Sequence, residues 1–135
     1  MPKGHHEGLF PKILVDTNVW ILFFRGNPEA CELSNFLFEN KVVTHPWVIG
    51  EMMLGTLGSR REKILADLAL LPSVSTLEPK EVFDFIREHK LYGKGLSFVD
   101  VYVLASSKAE KIPLWTFDKK LHSEAKKLGC VFDPL

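Results

Sequence analysis

At 135 residues and 46% apolar, the chain has the size of one globular domain with a real core. Lys+Arg and Asp+Glu both total 17, so no global basic excess advertises a nucleic-acid partner, and any such contact needs a local basic patch balanced by acids elsewhere. No run approaches the ~20 apolar residues of a membrane span, residues 1–11 lack the apolar core of a signal peptide, and Cys31 and Cys130 fit neither a metal spacing nor CxxC. These features predict a cytoplasmic protein with free thiols and no membrane contact, a flexible tail over 1–11, and one domain over 12–135.

In chain order, the first strand is predicted over Lys12–Asp16, where the apolar run Ile13-Leu14-Val15 ends in an acid. Short, continuous apolar runs suit strands of a parallel sheet covered on both faces. A helical segment follows and ends near Arg25. Asn27-Pro28-Glu29 then supplies a cap, a proline at the first helical position and an acid in the first turn. Lys41–Thr44 is the second strand. Pro46 opens the helix that carries Glu51, and Gly55 or Gly58 closes it. Ser59 and Glu62 are spaced as a capping box ahead of Ile64, Leu65, Leu68 and Leu71. Ser73–Leu77 is the third strand, and Pro79 opens a helix with Val82, Phe85, Ile86 and His89 on one face. Phe98–Leu104 has the β-branched content of a strand, but Ser97 as cap and the polar sequel Ser106-Ser107-Lys108 favour helix. Pro113–Phe117 and Cys130–Phe132 complete the strands, on either side of a helix capped by Asp118 and stopped by Gly129. The alternation implies an α/β domain with a mostly parallel sheet of about five strands.

Four carboxylates stand in apolar surroundings. Asp16 closes the first strand, Glu51 lies within Val48-Ile49-Gly50-Glu51-Met52-Met53-Leu54, Asp100 interrupts Phe98-Val99 and Val101-Tyr102-Val103, and Asp118 follows Leu114-Trp115-Thr116-Phe117. A buried charge is costly unless paired or bound to metal, and a divalent cation relieves the repulsion of acids brought together. Asp16 and Asp118 fall at carboxyl ends of strands, where open parallel sheets build their sites. Each aspartate also has a local explanation: Asp118 as an N-cap, Asp100 completing an S-x-x-D capping box, Asp16 in an Asx-turn. Capping does not explain Glu51, mid-helix on an apolar face. One metal site accounts for all four, which points to a Mg²⁺- or Mn²⁺-dependent phosphodiesterase.

Read through Ile13-Leu14-Val15-Asp16-Thr17-Asn18-Val19-Trp20, His45-Pro46-Trp47-Val48-Ile49-Gly50-Glu51, Gly93-Lys94-Gly95-Leu96-Ser97-Phe98-Val99-Asp100 and Leu114-Trp115-Thr116-Phe117-Asp118, the chain resembles the PIN-domain ribonucleases, and specifically their VapC-type toxins. The four stretches run in family order over all but roughly the first ten residues. The resemblance implies a PIN-like α/β/α sandwich over 12–135, with Asp16, Glu51, Asp100 and Asp118 as the catalytic acidic cluster. It also implies Mg²⁺ or Mn²⁺ as cofactor, cleavage of single-stranded or loop RNA, homodimerisation, and inhibition by a cognate antitoxin.

On that footing Asp16 and Asp100 are expected to ligate metal directly, with Glu51 and Asp118 acting through water or a second ion. Asn18 and Thr116 are expected to orient the carboxylates or waters. Arg25, Lys94, Lys119 and Lys120 are candidates for RNA phosphate contact. Trp20, Trp47 and Trp115 adjoin apolar runs and are read as core, with base stacking the other reading. Phe23, Phe24, Met52 and Leu54 are expected to line an apolar groove for an antitoxin helix or a second copy. A haloacid-dehalogenase-like phosphatase would want a second aspartate where Asn18 stands, and a receiver-like phosphoacceptor would want an acidic pair before Asp16; neither is present. A catalytically silent PIN-like RNA- or protein-binding domain and a housekeeping RNA-processing nuclease are the alternatives to the toxin.

Overall fold

The computed structural model describes residues 11–134. Apart from Pro11, the predicted tail lies outside the described residues. The centre of the fold is β1 (Ile13–Val15), buried along its whole length and therefore covered on both faces. It pairs in parallel with β2 (Val42–Val43), in register Ile13 to Val42, and with β3 (Leu114–Trp115), in register Val15 to Trp115. The sheet order is β2-β1-β3.

About five strands were expected, and the described residues contain three. The two remaining apolar runs are each reduced to a single parallel bridge, Thr44 to Ser73 beyond β2 and Leu114 to Val131 beyond β3. The cause is the shortness of their neighbours. Pro46 turns the chain into a helix two residues after Thr44, and the helix capped by Asp118 begins soon after Trp115. The outer runs therefore find one backbone position to pair with rather than a ladder.

Seven α-helices surround this sheet among the described residues: α1 (Thr17–Phe24), α2 (Leu33–Phe38), α3 (Pro46–Leu54), α4 (Arg61–Ala69), α5 (Pro79–His89), α6 (Phe98–Glu110) and α7 (Lys119–Lys127). Their starts follow the sequence closely. Asn27 caps a short 3₁₀ turn, Pro28–Ala30, by accepting from the Glu29 amide at 2.8 Å. The predicted Ser59/Glu62 box does not form. Ser59 falls inside a second 3₁₀ turn, Gly58–Arg60, which runs straight into α4 without a side-chain cap. Ser97 and Asp100 do form the reciprocal box at the head of α6, and Asp118 caps α7 through the Leu121 amide at 2.9 Å.

The helix α6 is the most deeply embedded, with every residue from Val101 to Ser107 buried. The core spreads from β1 through Val19 and Trp20 of α1, Val48 and Met52 of α3, and Trp115 of β3. Trp20 and Trp115 are buried against Phe24 and Phe36, as core residues, while Trp47 is partly exposed and stacks on Tyr102 at 4.5 Å. No helix among the described residues is long and apolar enough to cross a membrane.

Candidate active site

The parallel register fixes the site. Because Val15 lies opposite Trp115, the next residues, Asp16 and Thr116, leave the sheet side by side at its carboxyl edge. Asp16 is only 4% exposed. Its Oδ1 accepts from the Thr17 amide at 2.8 Å, which caps α1, and its Oδ2 accepts from the Thr116 hydroxyl at 2.8 Å and the Asn18 amide at 3.4 Å. Thr116 Oγ1 in turn accepts from Asn18 Nδ2 at 3.2 Å and from the Asp118 amide at 3.1 Å, while Asn18 Oδ1 accepts from the Phe117 amide at 3.0 Å. Asn18 and Thr116 thus tie the end of β1 to the segment that runs into α7.

Glu51 reaches the same place from α3. Its Oε1 accepts from the Thr17 hydroxyl at 2.7 Å. Asp100 arrives from the first turn of α6, and both acids are close enough to act on Asp16. Burial is the main force on the Asp16 carboxyl, pushing its pKa to about 6, and the Asp100 and Glu51 charges push the same way. The hydrogen bonds from Thr116 and Thr17 pull it down without prevailing. Asp118 belongs to the group through Thr116, but its own Oδ1 is turned to the α7 N-terminus and its charge is not among those acting on Asp16. Three of the four acids therefore converge electrostatically, and the fourth is attached by a hydrogen-bonded chain.

All-oxygen donors that repel one another suit a hard divalent cation. Among the described residues, no three His, Cys, Asp or Glu side chains close on a common point as a full cage would. A divalent cation held here would therefore keep waters in its shell beside one or two of these carboxylates.

The basic candidates are placed unequally. Arg25 sits at the C-cap of α1, so the helix length separates it from Asp16. Lys94 lies 3.4 Å from Glu124 Oε1, a nearly buried carboxylate that also meets Lys127 at 3.3 Å. Lys119 and Lys120 open α7, directly after Asp118, and Lys120 lies over Gly95. A groove of about 460 Å³, lined by Pro46, Trp47, Gly50, Leu54 and Val99, has Glu51 as its acidic wall. Leu54 is 90% exposed there, whereas Met52, expected in a groove, is fully buried in the core. Phe23 and Phe24 line a separate apolar hollow of about 220 Å³ with Trp20, Leu37 and Leu71.

Two contributions were not foreseen. Thr17 has no role among the sequence-based expectations, yet its hydroxyl holds Glu51. His45 had no assigned part, although a histidine before the proline that opens α3 is a legible cap: its Nδ1 accepts from the Trp47 amide at 3.1 Å.

The chain matches the family model of the PIN domain over residues 13–127. It is 34% identical over 118 residues to ribonuclease VapC32 of Mycobacterium tuberculosis, in both the CDC 1551 / Oshkosh and the H37Rv strains, covering 87% of this chain and 93% of that protein. Its fold resembles a toxin–antitoxin complex chain from Klebsiella pneumoniae (TM-score 0.70, 19% identity, 92% of this chain and 98% of that one). It also resembles a chain of FitAcB from Neisseria gonorrhoeae (TM-score 0.63, 24% identity, 90% and 97%). With the carboxylate cluster at the sheet edge and a match over most of its length, the chain belongs to the PIN-domain family, among the VapC-type ribonucleases.

Proposed function

We propose that the protein is a metal-dependent endoribonuclease that hydrolyses RNA phosphodiester bonds at the Asp16, Glu51, Asp100 and Asp118 cluster, and that it is the toxin of a toxin–antitoxin pair. The observation that carries the chemistry is Asp16: a buried carboxylate held near pH 6 by burial and by two like charges, which is the electrostatic setting a cation relieves. Asp16 and Asp100 are the direct holders of Mg²⁺ or Mn²⁺, and Glu51 and Asp118 act through water or a second ion. When bound, such an ion acidifies a water and neutralises charge developing on the phosphoryl oxygens. Thr116 and Asn18 keep Asp16 Oδ2 in one orientation, and Thr17 does the same for Glu51. Lys119 and Lys120, which follow Asp118 at the start of α7, would meet the flanking phosphates.

Attack by water leaves 5′-phosphate and 3′-hydroxyl ends, whereas attack by the RNA 2′-hydroxyl leaves a 2′,3′-cyclic phosphate. End-group analysis of the products separates the two, and a cyclic phosphate would contradict this mechanism. The toxin role rests on the relatives: one neighbouring fold is a toxin–antitoxin complex. An apolar antitoxin helix suits the groove of Pro46, Trp47, Leu54 and Val99, with a basic side chain against Glu51, and the same exposed residues suit a homodimer. The setting is cytoplasmic. Growth arrest on expression, relieved by co-expression of a small adjacent-gene protein that copurifies, tests this role; harmless expression alone would speak against it.

A further inference from the structure

His45 is fully buried although its ring touches none of the four acids by hydrogen bond. Its two nitrogens are both engaged. Nδ1 accepts from the Trp47 amide at 3.1 Å, and Nε2 lies 2.9 Å from the Ser106 hydroxyl of α6. The direction of the second bond follows from Ser106. That hydroxyl has one hydrogen, and it is donated back to the Tyr102 carbonyl at 2.9 Å. Ser106 Oγ therefore accepts, His45 donates from Nε2, and the imidazole is neutral with its proton on Nε2. Burial pushes the His45 pKa down to about 4, in keeping with that neutral ring.

The bond joins two helices. His45 heads α3, which carries Glu51 six residues later; Ser106 lies on α6, which carries Asp100 six residues earlier. At ~1.5 Å of rise per residue, each carboxylate stands about 9 Å along its helix from this cross-link. Apolar packing runs beside it, with Trp47 stacked on Tyr102, but a stacked pair slides more readily than a bond between fixed donor and acceptor. Resting on the metal-dependent reading above, we infer that His45 is a positioning residue: it bolts α3 to α6 and so sets Glu51 against Asp100 around Asp16.

The two halves of the histidine separate by substitution. In His45→Asn the side-chain oxygen still caps α3, but the side chain stops short of Ser106. In His45→Gln the amide nitrogen stands near the Nε2 position and still donates to Ser106. Ser106→Ala removes the acceptor from the other side. Each protein is titrated with Mn²⁺ alone, free Mn²⁺ being read by its EPR signal, after thermal unfolding has shown that it is folded. We expect His45→Asn and Ser106→Ala each to weaken Mn²⁺ binding about tenfold, as loss of an outer-shell partner does, and the double variant to be no weaker than either. His45→Gln should bind closer to wild type than His45→Asn does. A role confined to capping would leave His45→Asn binding like wild type and would overturn the inference. If His45→Asn does not fold, Ser106→Ala decides alone, and unchanged Mn²⁺ affinity there overturns it equally. Wild type that neither binds Mn²⁺ nor cleaves RNA would remove the functional reading, and this inference with it; wild type that does both, beside variants of equal affinity, would remove the inference only.

Discussion

The Thr17 hydroxyl donates to Glu51 Oε1 at 2.7 Å, linking the first residue of α1 to an acid on α3, while the Thr17 amide donates to Asp16 on the other side. One residue thus orients two carboxylates with different atoms. Thr17→Val keeps the shape and the amide bond but removes the hydroxyl. RNA cleavage should fall about tenfold, with the unfolding temperature changed little. Unchanged cleavage would show that Glu51 needs no such partner.

Thr116 answers to three groups: it donates to Asp16 and accepts from Asn18 and the Asp118 amide. Thr116→Val takes one hydrogen bond from each of the three, leaving Asp16 and Asn18 bonded only to each other and to Thr17 or Phe117, and should destabilise the protein by about 1–3 kcal/mol. It also removes the strongest force lowering the Asp16 pKa, so that value should rise further above 6. Carboxyl ¹³C chemical shifts followed through a pH titration measure it, and a fall would contradict the account.

Asp16 and His45 make opposite demands on pH. The Asp16 pKa is raised from 3.8 to about 6, so its contribution to stability is fully present below 3.8 and is lost as pH rises through 6, amounting to roughly 3 kcal/mol. The His45 pKa is lowered from 6.5 to about 4, so the unfolded chain takes up the proton first and stability falls as pH drops from 6.5 to 4, again by roughly 3 kcal/mol. In wild type the two offset each other across pH 4–6. Asp16→Asn removes one side of the balance. The variant should be more stable than wild type at pH 7, lose that advantage by pH 4, and show the His45 decline unopposed. Urea unfolding at several pH values reads this, and a difference that did not vary with pH would count against a raised Asp16 pKa.

Gly95 has φ +78°, and a Cβ there would stand 2.7 Å from Lys120 Nζ. Gly95→Ala should cost about 1–2 kcal/mol for the left-handed backbone and displace the lysine from the loop before Asp100. If Lys120 holds RNA phosphate, binding to catalytically inactive protein should weaken and its salt dependence become shallower. Unaltered RNA affinity would leave Lys120 outside the binding path.

The acids were legible because charge within an apolar run needs a reason, and the local reasons turned out to coexist with the shared one. Asp16 and Asp118 are N-caps of helices that follow strands and Asp100 completes the capping box of α6, yet Asp16 and Asp100 also belong to the cluster. What the sequence concealed was set by pairing at a distance. Ser73–Leu77 and Cys130–Phe132 have the composition of strands, but their extent depended on how soon β2 and β3 left the sheet. Met52 sits beside Glu51 in sequence and shares its apolar surroundings, yet one helical step turns it into the core. The Thr17–Glu51 and His45–Ser106 bonds depend on how α1 and α6 lie against α3, which no local pattern states.

The most direct test is cleavage of a mixed pool of structured RNAs by wild type and Asp16→Asn, each with Mg²⁺, Mn²⁺ or EDTA, after any copurified inhibitor has been removed. Discrete cuts by wild type with either metal, absent in EDTA and absent from the folded variant, are the predicted result. Cuts that persist in EDTA, or in Asp16→Asn, would contradict a metal-dependent site built on that carboxylate.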